Sequence, residues 1–356
     1  MAWCPIRHHL VVMRTFRNTT MKILIDLPRG VCYPTMAAIP FKQCVVQTEN
    51  YLKLNWHLCE NGEPIPSYKK VVAKWPDGSI KWAHVYAIFK GDKEYNFNQL
   101  LSQVVFPSTP IIPPDEQLNW TLEVKEKNGA LWTNTAADRA SLTEVRTDEF
   151  SLNSISPKGS RIYNSSDETK CIEINDPVVR QIRYEGWLNP EHQNRFLRYC
   201  TRVTKYSDSP ISKISLSITF AGRMRDKEIT SIGFSIPTQN NTGKAFYGIN
   251  GDINSKTSPP LLRTLQVHQR RIDVCEVTGF DEFQRIPGKS DGFVSNGSVS
   301  VFVRNFWQKF PQSLGCKQSN IIYNQCTVKT KSFPRKQDWK KKTSPKCTIC
   351  ITVPHC

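Results

Sequence analysis

His268, Gln269, Arg270 and Arg271 stand in a row, with Tyr247 upstream of them. The row combines a base, two planar cations that suit a carboxylate, and a phenol that can give a proton. His268, Arg270 and Arg271 are therefore the catalytic candidates, and Tyr247 is a candidate for contacting substrate. Arg198 and Arg202 flank Cys200 at two-residue spacing, the period that puts all three on one face of a strand. They are further substrate-contact candidates for an acidic ligand. Each set has a plainer reading. The polar row is also what an ordinary solvated loop looks like, and strand arginines commonly bridge to a neighbouring Asp or Glu.

Two more constellations carry chemistry. Trp75 and Trp82 can stack on the apolar faces of sugar rings, or cover the end of a barrel. Cys347, Cys350, His355 and Cys356 are ligand types suited to zinc, but a structural zinc site pairs two such knuckles and only one is present. No metal and no cofactor is expected. Phosphate-cradling glycine loops, G-x-S-x-G elbows and H-E-x-x-H helices do not occur, so the common nucleotide-binding and hydrolase classes lose ground.

The elements that must hold these residues read as strands. Val71 and Val72 lead to Trp75-Pro76-Asp77-Gly78, and a second run opens at Ser79. Proline fixes φ at the first turn position, Asp suits the second, and glycine accepts the left-handed conformation that follows. That is a hairpin, in which Gly78 should matter more than Ser79. Its second strand sets Ile80, Trp82, His84, Tyr86 and Ile88 on one face, while Val85 and Phe89 make the latter half buried on both sides. Ile214, Leu216 and Ile218, then Ile232, Phe234 and Ile236, then Val299, Val301 and Val303 repeat the two-residue period. Short alternating strands of this kind predict antiparallel sheets packed face to face. Asn96 to Val105 is read as one short helix.

Composition narrows the partners. The 48 Lys and Arg exceed the 31 Asp and Glu by 17 in 356 residues. From Lys317 onward there are nine Lys or Arg and one acid, Asp338, so the last 40 residues carry +8 of that excess. A charge block of this kind reads as a solvated tail, and nucleic acid is not the expected partner. No apolar run approaches the ~20 residues that cross a bilayer, so no membrane association is expected.

Three segments point to a family. They are Leu27-Pro28-Arg29-Gly30 followed by Trp75-Pro76-Asp77-Gly78-Ser79-Ile80-Lys81-Trp82, then Phe196 to Pro210 with its arginine-rich strand, then Phe306-Trp307-Gln308-Lys309-Phe310-Pro311. Their order and spacing over Met21 to Leu314 resemble the exo-rhamnogalacturonan lyase and YetA-like family. The resemblance implies an all-β chain: a RIFT-type β-barrel followed by an antiparallel β-sandwich. It also implies an acidic polysaccharide or oligosaccharide as partner, and eliminative cleavage of a uronate as the full-length activity. These motifs assign no residue here to the family's catalytic positions. The expected organisation is an irregular extension over 1–20, the barrel over 21–115, the sandwich over 116–316 and a disordered basic tail over 317–356. The family's α/α toroid, which closes the active site, is not expected after Gly315, so these are expected to be non-catalytic β-domains.

Overall fold

Gly78 and its neighbours fold as the residue types dictate. In the computed structural model, Gly78 N–H donates to the Trp75 carbonyl at 2.9 Å, which closes a turn with Pro76 and Asp77 at its centre. Gly78 has φ +86°, and a Cβ there would meet nothing within 4 Å, so the requirement for glycine is purely conformational. The structure describes residues 10–16, 20–25, 27, 29–100, 104, 106, 121–126, 131–135, 162–164, 169–187, 197–207, 209–220, 229–237, 244–257, 261–268, 271–276, 283–297, 299–309, 312–317, 320–326 and 346–354.

The chain divides into two compact units. Unit 1 comprises Met1–Pro113, Ile172–Ile182 and Thr204–Ser212, and unit 2 the remainder. The block expected at 116–316 thus lends two stretches to unit 1. The first stretch of unit 1 holds β1 (Leu10–Phe16), β2 (Thr20–Ile25), β3 (Cys32–Pro40), helix α1 (Glu49–Asn55) and β4 (Trp56–Glu60). It continues with β5 (Glu63–Pro64), β6 (Tyr68–Lys74), β7 (Ile80–Lys90) and β8 (Tyr95–Gln99). These form a five-stranded sheet, β1-β2-β8-β4-β5, and a three-stranded sheet, β3-β7-β6. Among the described residues the two do not join into a closed barrel.

Between the sheets Trp56 stacks on Phe97 at 5.6 Å, and Phe41 meets Trp56 edge-on at 5.3 Å. Ala83, Val85, Ala87 and Phe89 close that core from β7. Their parity is opposite to that of Trp82, His84, Tyr86 and Ile88, so the face expected to be buried along β7 is the outer one. Ile80 joins the core despite its even number, because the β6–β7 register shifts between Ala73 and Lys74. The latter half of β7 is covered on both sides, as expected: Tyr86 and Ile88 pack with Met36 and Tyr68 on Ile174, Val179 and Tyr206, all of unit 1.

The other strands follow in order. They are β9 (Thr121–Glu126), β10 (Leu131–Thr135), β11 (Ile162–Asn164), β12 (Thr169–Asn175), β13 (Val179–Trp187) and β14 (Leu197–Tyr206). Next come β15 (Ile211–Phe220), β16 (Ile229–Pro237), β17 (Lys244–Ile249), β18 (Asp252–Thr257), β19 (Leu261–His268) and β20 (Arg271–Glu276). The last are β21 (Phe283–Pro287), β22 (Ser290–Ser295), β23 (Ser300–Val303), β24 (Gln312–Lys317), β25 (Asn320–Cys326) and β26 (Lys346–Pro354). One nine-stranded sheet runs β11-β10-β9-β16-β25-β24-β19-β20-β21, and the other β12-β13-β14-β15-β26-β23-β22-β17-β18. The alternations read in the sequence are these strands: Ile214, Leu216 and Ile218 on β15, Ile232, Phe234 and Ile236 on β16, and Val301 and Val303 on β23 are all buried.

Three further expectations need correction. Asn96–Gln99 belongs to β8, not to a helix, because Tyr95 and Phe97 are both buried two residues apart. The helix is α1 instead, started by Thr48, whose hydroxyl accepts from Tyr51 N–H at 3.1 Å. The N-terminal extension contains β1, paired antiparallel to β2. The basic tail supplies β25, paired on one side with β16 and on the other with β24, and buries Ile321. It also supplies β26, paired with β23. A short apolar run, Ile321-Ile322-Tyr323, is enough for a strand when both neighbours are already in place. Residues 327–345, with the Lys340 to Lys342 block, lie outside the described residues.

Ser79 is more than a bystander in the hairpin. Only 1% exposed, its hydroxyl accepts from Cys44 N–H at 3.1 Å and donates to Asp77 Oδ1 at 2.7 Å. Gly78→Ala should cost about 1 kcal/mol through its positive φ. Ser79→Ala should cost as much or more, since it strands a backbone donor. Urea unfolding of both variants checks this, and a Ser79→Ala variant as stable as wild type would contradict it.

Candidate functional site

The described residues hold two polar clusters of unit 1 and the scattered candidates of unit 2. The first cluster sits at the hairpin. Asp77 accepts from Ser79 N–H and Oγ through one oxygen, and from Gln43 Nε2 and Cys44 Sγ through the other. The Ser79 hydroxyl first, then the thiol and the Gln43 amide, hold the carboxyl far below its usual range. The same contact raises the Cys44 thiol, which stays protonated as a donor and is not a nucleophile. Trp75 is equally committed: Nε1 donates to the Phe41 carbonyl at 3.1 Å, and Lys81 Nζ lies 4.4 Å from its ring centroid.

The second cluster lies beneath α1. Lys69 is 7% exposed, and its ammonium donates to the Lys53 carbonyl at 3.0 Å. Burial depresses its pKa to about 8, opposed by the Asp176 carboxylate. His57, 4% exposed, uses Nε2 against the Leu54 carbonyl at 3.0 Å, which leaves Nδ1 without a partner. Burial and Lys69 keep this imidazole neutral, and burial keeps the Cys59 thiol protonated. A lysine that titrates near neutrality is a feature of active sites. Here it is buried and already engaged with the Lys53 carbonyl. Sequence reasoning missed this cluster. Lys69 and Lys70 are adjacent identical residues, and alternation says that one turns inward without saying which.

The candidates of unit 2 are placed as follows. His268 and Arg271 are register partners across the β19–β20 hairpin. Arg270 falls in the connection between them and lies outside the described residues. Tyr247, on β17 of the other nine-stranded sheet, is 4% exposed and pairs with Asn254 and Val294. Arg198 and Cys200 do share the less buried face of β14 with Arg202, and Arg198 meets Glu185 of β13 at 3.3 Å. Five strand intervals separate β14 from β17, roughly 24 Å at the usual spacing. The arginines of β14 and Tyr247 are therefore not brought to one sugar ring. Cys347 and Cys350 both belong to β26. His355 and Cys356 lie outside the described residues, and those residues contain no metal-ligand cluster of three or more His, Cys, Asp or Glu.

The segment from Arg304 is a packing device. Phe306 is buried over Gly292, where a Cβ would meet Phe306 Cβ at 2.5 Å and the Val303 carbonyl at 2.6 Å. Gln312 Nε2 donates to the Phe306 carbonyl. Lys289 Nζ covers the Trp307 ring at 4.1 Å. Asn250 and Gly251, at φ 56° and 90°, make the two-residue turn between β17 and β18 that an Asn-Gly pair favours.

Because Lys69 has a lower pKa folded than unfolded, the folded state gives up its proton first as pH rises. Stability from this group therefore increases between about pH 8 and the ordinary lysine value of 10.5. Below that window the buried charge costs up to about 3 kcal/mol. Lys69→Met should gain on wild type at neutral pH and lose that advantage across the window. Urea unfolding at a series of pH values checks it, and an advantage that grows with pH would contradict it.

Comparison with known proteins adds the following. Against the solved structures, the chain is similar to a protein in the glycosyl hydrolase family 38 from Enterococcus faecalis, at TM-score 0.38 and 11% identity. That similarity covers 91% of this chain and 42% of the other, so this chain spans less than half of that protein's length. No curated protein matches. A family model, the PcRGLX-like N-terminal RIFT barrel domain, matches residues 24–99, the stretch that contains the Trp75–Trp82 hairpin. Residues 24–99 of this chain are thus similar to a PcRGLX-like N-terminal RIFT barrel domain.

Proposed function

We propose that this chain supplies β-domains of a carbohydrate-active protein of the exo-rhamnogalacturonan lyase type, and that by itself it binds acidic saccharide without cleaving it. The match of residues 24–99 to the PcRGLX-like barrel domain carries the reading. Elimination beside a uronate carboxylate needs a base, a cation on the carboxylate and an acid at the leaving oxygen, all converging on one ring. The backbone register that pairs His268 with Arg271 supports part of that set, since an imidazole and a guanidinium at opposed strand positions are residue types that suit a carboxylate. The acid is what the set lacks: Tyr247 is buried on the other sheet. Arg198 favours the alternative, a structural or non-catalytic carbohydrate-binding β-protein, because it is engaged with Glu185.

The test uses the purified full chain with rhamnogalacturonan and, as a neutral control, dextran. Retardation in gels containing rhamnogalacturonan but not dextran is expected, with no ultraviolet-absorbing unsaturated uronyl product. Arg271→Ala should weaken retardation about tenfold, the scale of one charge-assisted hydrogen bond. Product well above background, abolished by Arg271→Ala, would overturn the non-catalytic reading. Equal behaviour in the two gels would overturn the carbohydrate reading.

A further inference from the structure

We infer that the open half of the outer face of the β3-β7-β6 sheet, centred on Trp82, is a contact surface for an acidic saccharide; this rests on the carbohydrate reading above and assigns it a place in unit 1. Along β7 the core takes Ala83, Val85, Ala87 and Phe89, which leaves Trp82, His84, Tyr86 and Ile88 for the other face. That face changes character midway. Tyr86 and Ile88 are covered by Ile174, Val179 and Tyr206. Trp82 is 36% exposed, and Val72, the extra residue of the β6 bulge, is 51% exposed.

Three features make this half more than a stray apolar patch. The register partners of Trp82 are Pro40 and Ala73, so no tall side chain flanks the indole on either neighbouring strand. Lys70 is the partner of His84, two residues along from Trp82 and thus about 6–7 Å away, the scale of one sugar ring. Lys74 lies further along β6, and Lys42 follows the end of β3. Among the described residues Lys42, Lys70 and Lys74 have no ion-pair partner, whereas Lys22, Lys53, Lys90 and Lys93 each have one.

An open indole beside unneutralised ammonium groups suits a ligand with apolar ring faces and repeated negative charge. A uronate oligosaccharide has both: each pyranose offers a flat C–H face for stacking and a carboxylate for a point-charge cation. Trp75, the other aromatic of the hairpin, is excluded because Lys81 and the Phe41 carbonyl already engage it. Single-stranded nucleic acid is the rival with similar chemistry, but it calls for several aromatic platforms in succession. On this face Tyr86 is buried and Tyr68 packs against the covered half, so Trp82 is the one open ring among the described residues.

The experiment is calorimetric titration of the full chain with oligogalacturonate, repeated with a neutral malto-oligosaccharide and with single-stranded oligodeoxythymidylate. Trp82→Ala should weaken oligogalacturonate binding about tenfold, Lys70→Ala several-fold, and Trp82→Phe much less than Trp82→Ala. Melting temperatures close to wild type are expected, since the side chain is on the surface. Where a Trp82→Ala variant melts early, the Lys70→Ala result decides. Oligogalacturonate binding that neither variant changes would overturn this inference and leave the carbohydrate reading standing. Absence of any saccharide binding would remove both. Tighter binding of the oligodeoxythymidylate, lost in Trp82→Ala, would reassign the surface to nucleic acid.

Discussion

The Asp77 carboxylate accepts four hydrogen bonds, two from Ser79 and one each from Gln43 and Cys44, and so ties the β6–β7 turn to the chain that leaves β3. Two backbone bonds run beside it, Ile80 N–H to the Val46 carbonyl and Phe41 N–H to the Lys81 carbonyl. Together they fix the register of the three-stranded sheet. Register is the constraint on which the rest of unit 1 depends, because a slip of one residue would exchange the two faces of every strand. With the observed register, Ala83, Val85 and Phe89 enter the core with Trp56 and Phe97, and Trp82 stays outside. The eight-residue hairpin motif is therefore a folding device, and its last residue, Trp82, keeps its indole outside the core.

The parts legible in the sequence were those in which one physical rule acts alone. The Pro76-Asp77-Gly78 turn follows from φ preferences, and β15, β16 and β23 from a two-residue period with one buried face. The Asn61-Gly62 and Asn250-Gly251 turns obey the same φ preferences, with positive φ at all four residues. Where two rules compete, the sequence is ambiguous. The strand β8 was obscured by Asn96 between its two buried aromatics and by Asn98 and Gln99 after them. In β25 the apolar run is short and stands near a charge block, so the sequence around it suggests solvent while its neighbours in the sheet supply the burial. The enclosed Lys69 and the Arg198–Glu185 pair depend on which residues lie opposite each other across strands, and that information is not local.

Most polar and aromatic groups that looked available are used by the structure itself. Trp75 and Trp307 are each covered by a lysine, Arg198 is paired, and Tyr247 is buried. Among the described residues, Trp82 and the lysines Lys42, Lys70 and Lys74 are groups that the structure does not use in this way.

Hydroxyl-radical footprinting of the full chain, with and without oligogalacturonate, tests the register and the ligand surface together. In the free chain Trp82 should be oxidised readily and Trp56, fully buried, hardly at all. Added oligogalacturonate should protect Trp82 selectively, and neutral malto-oligosaccharide should not. Equal oxidation of Trp82 and Trp56 would contradict the register assignment. Oxidation of Trp82 that oligogalacturonate leaves unchanged would contradict its role as the contact surface.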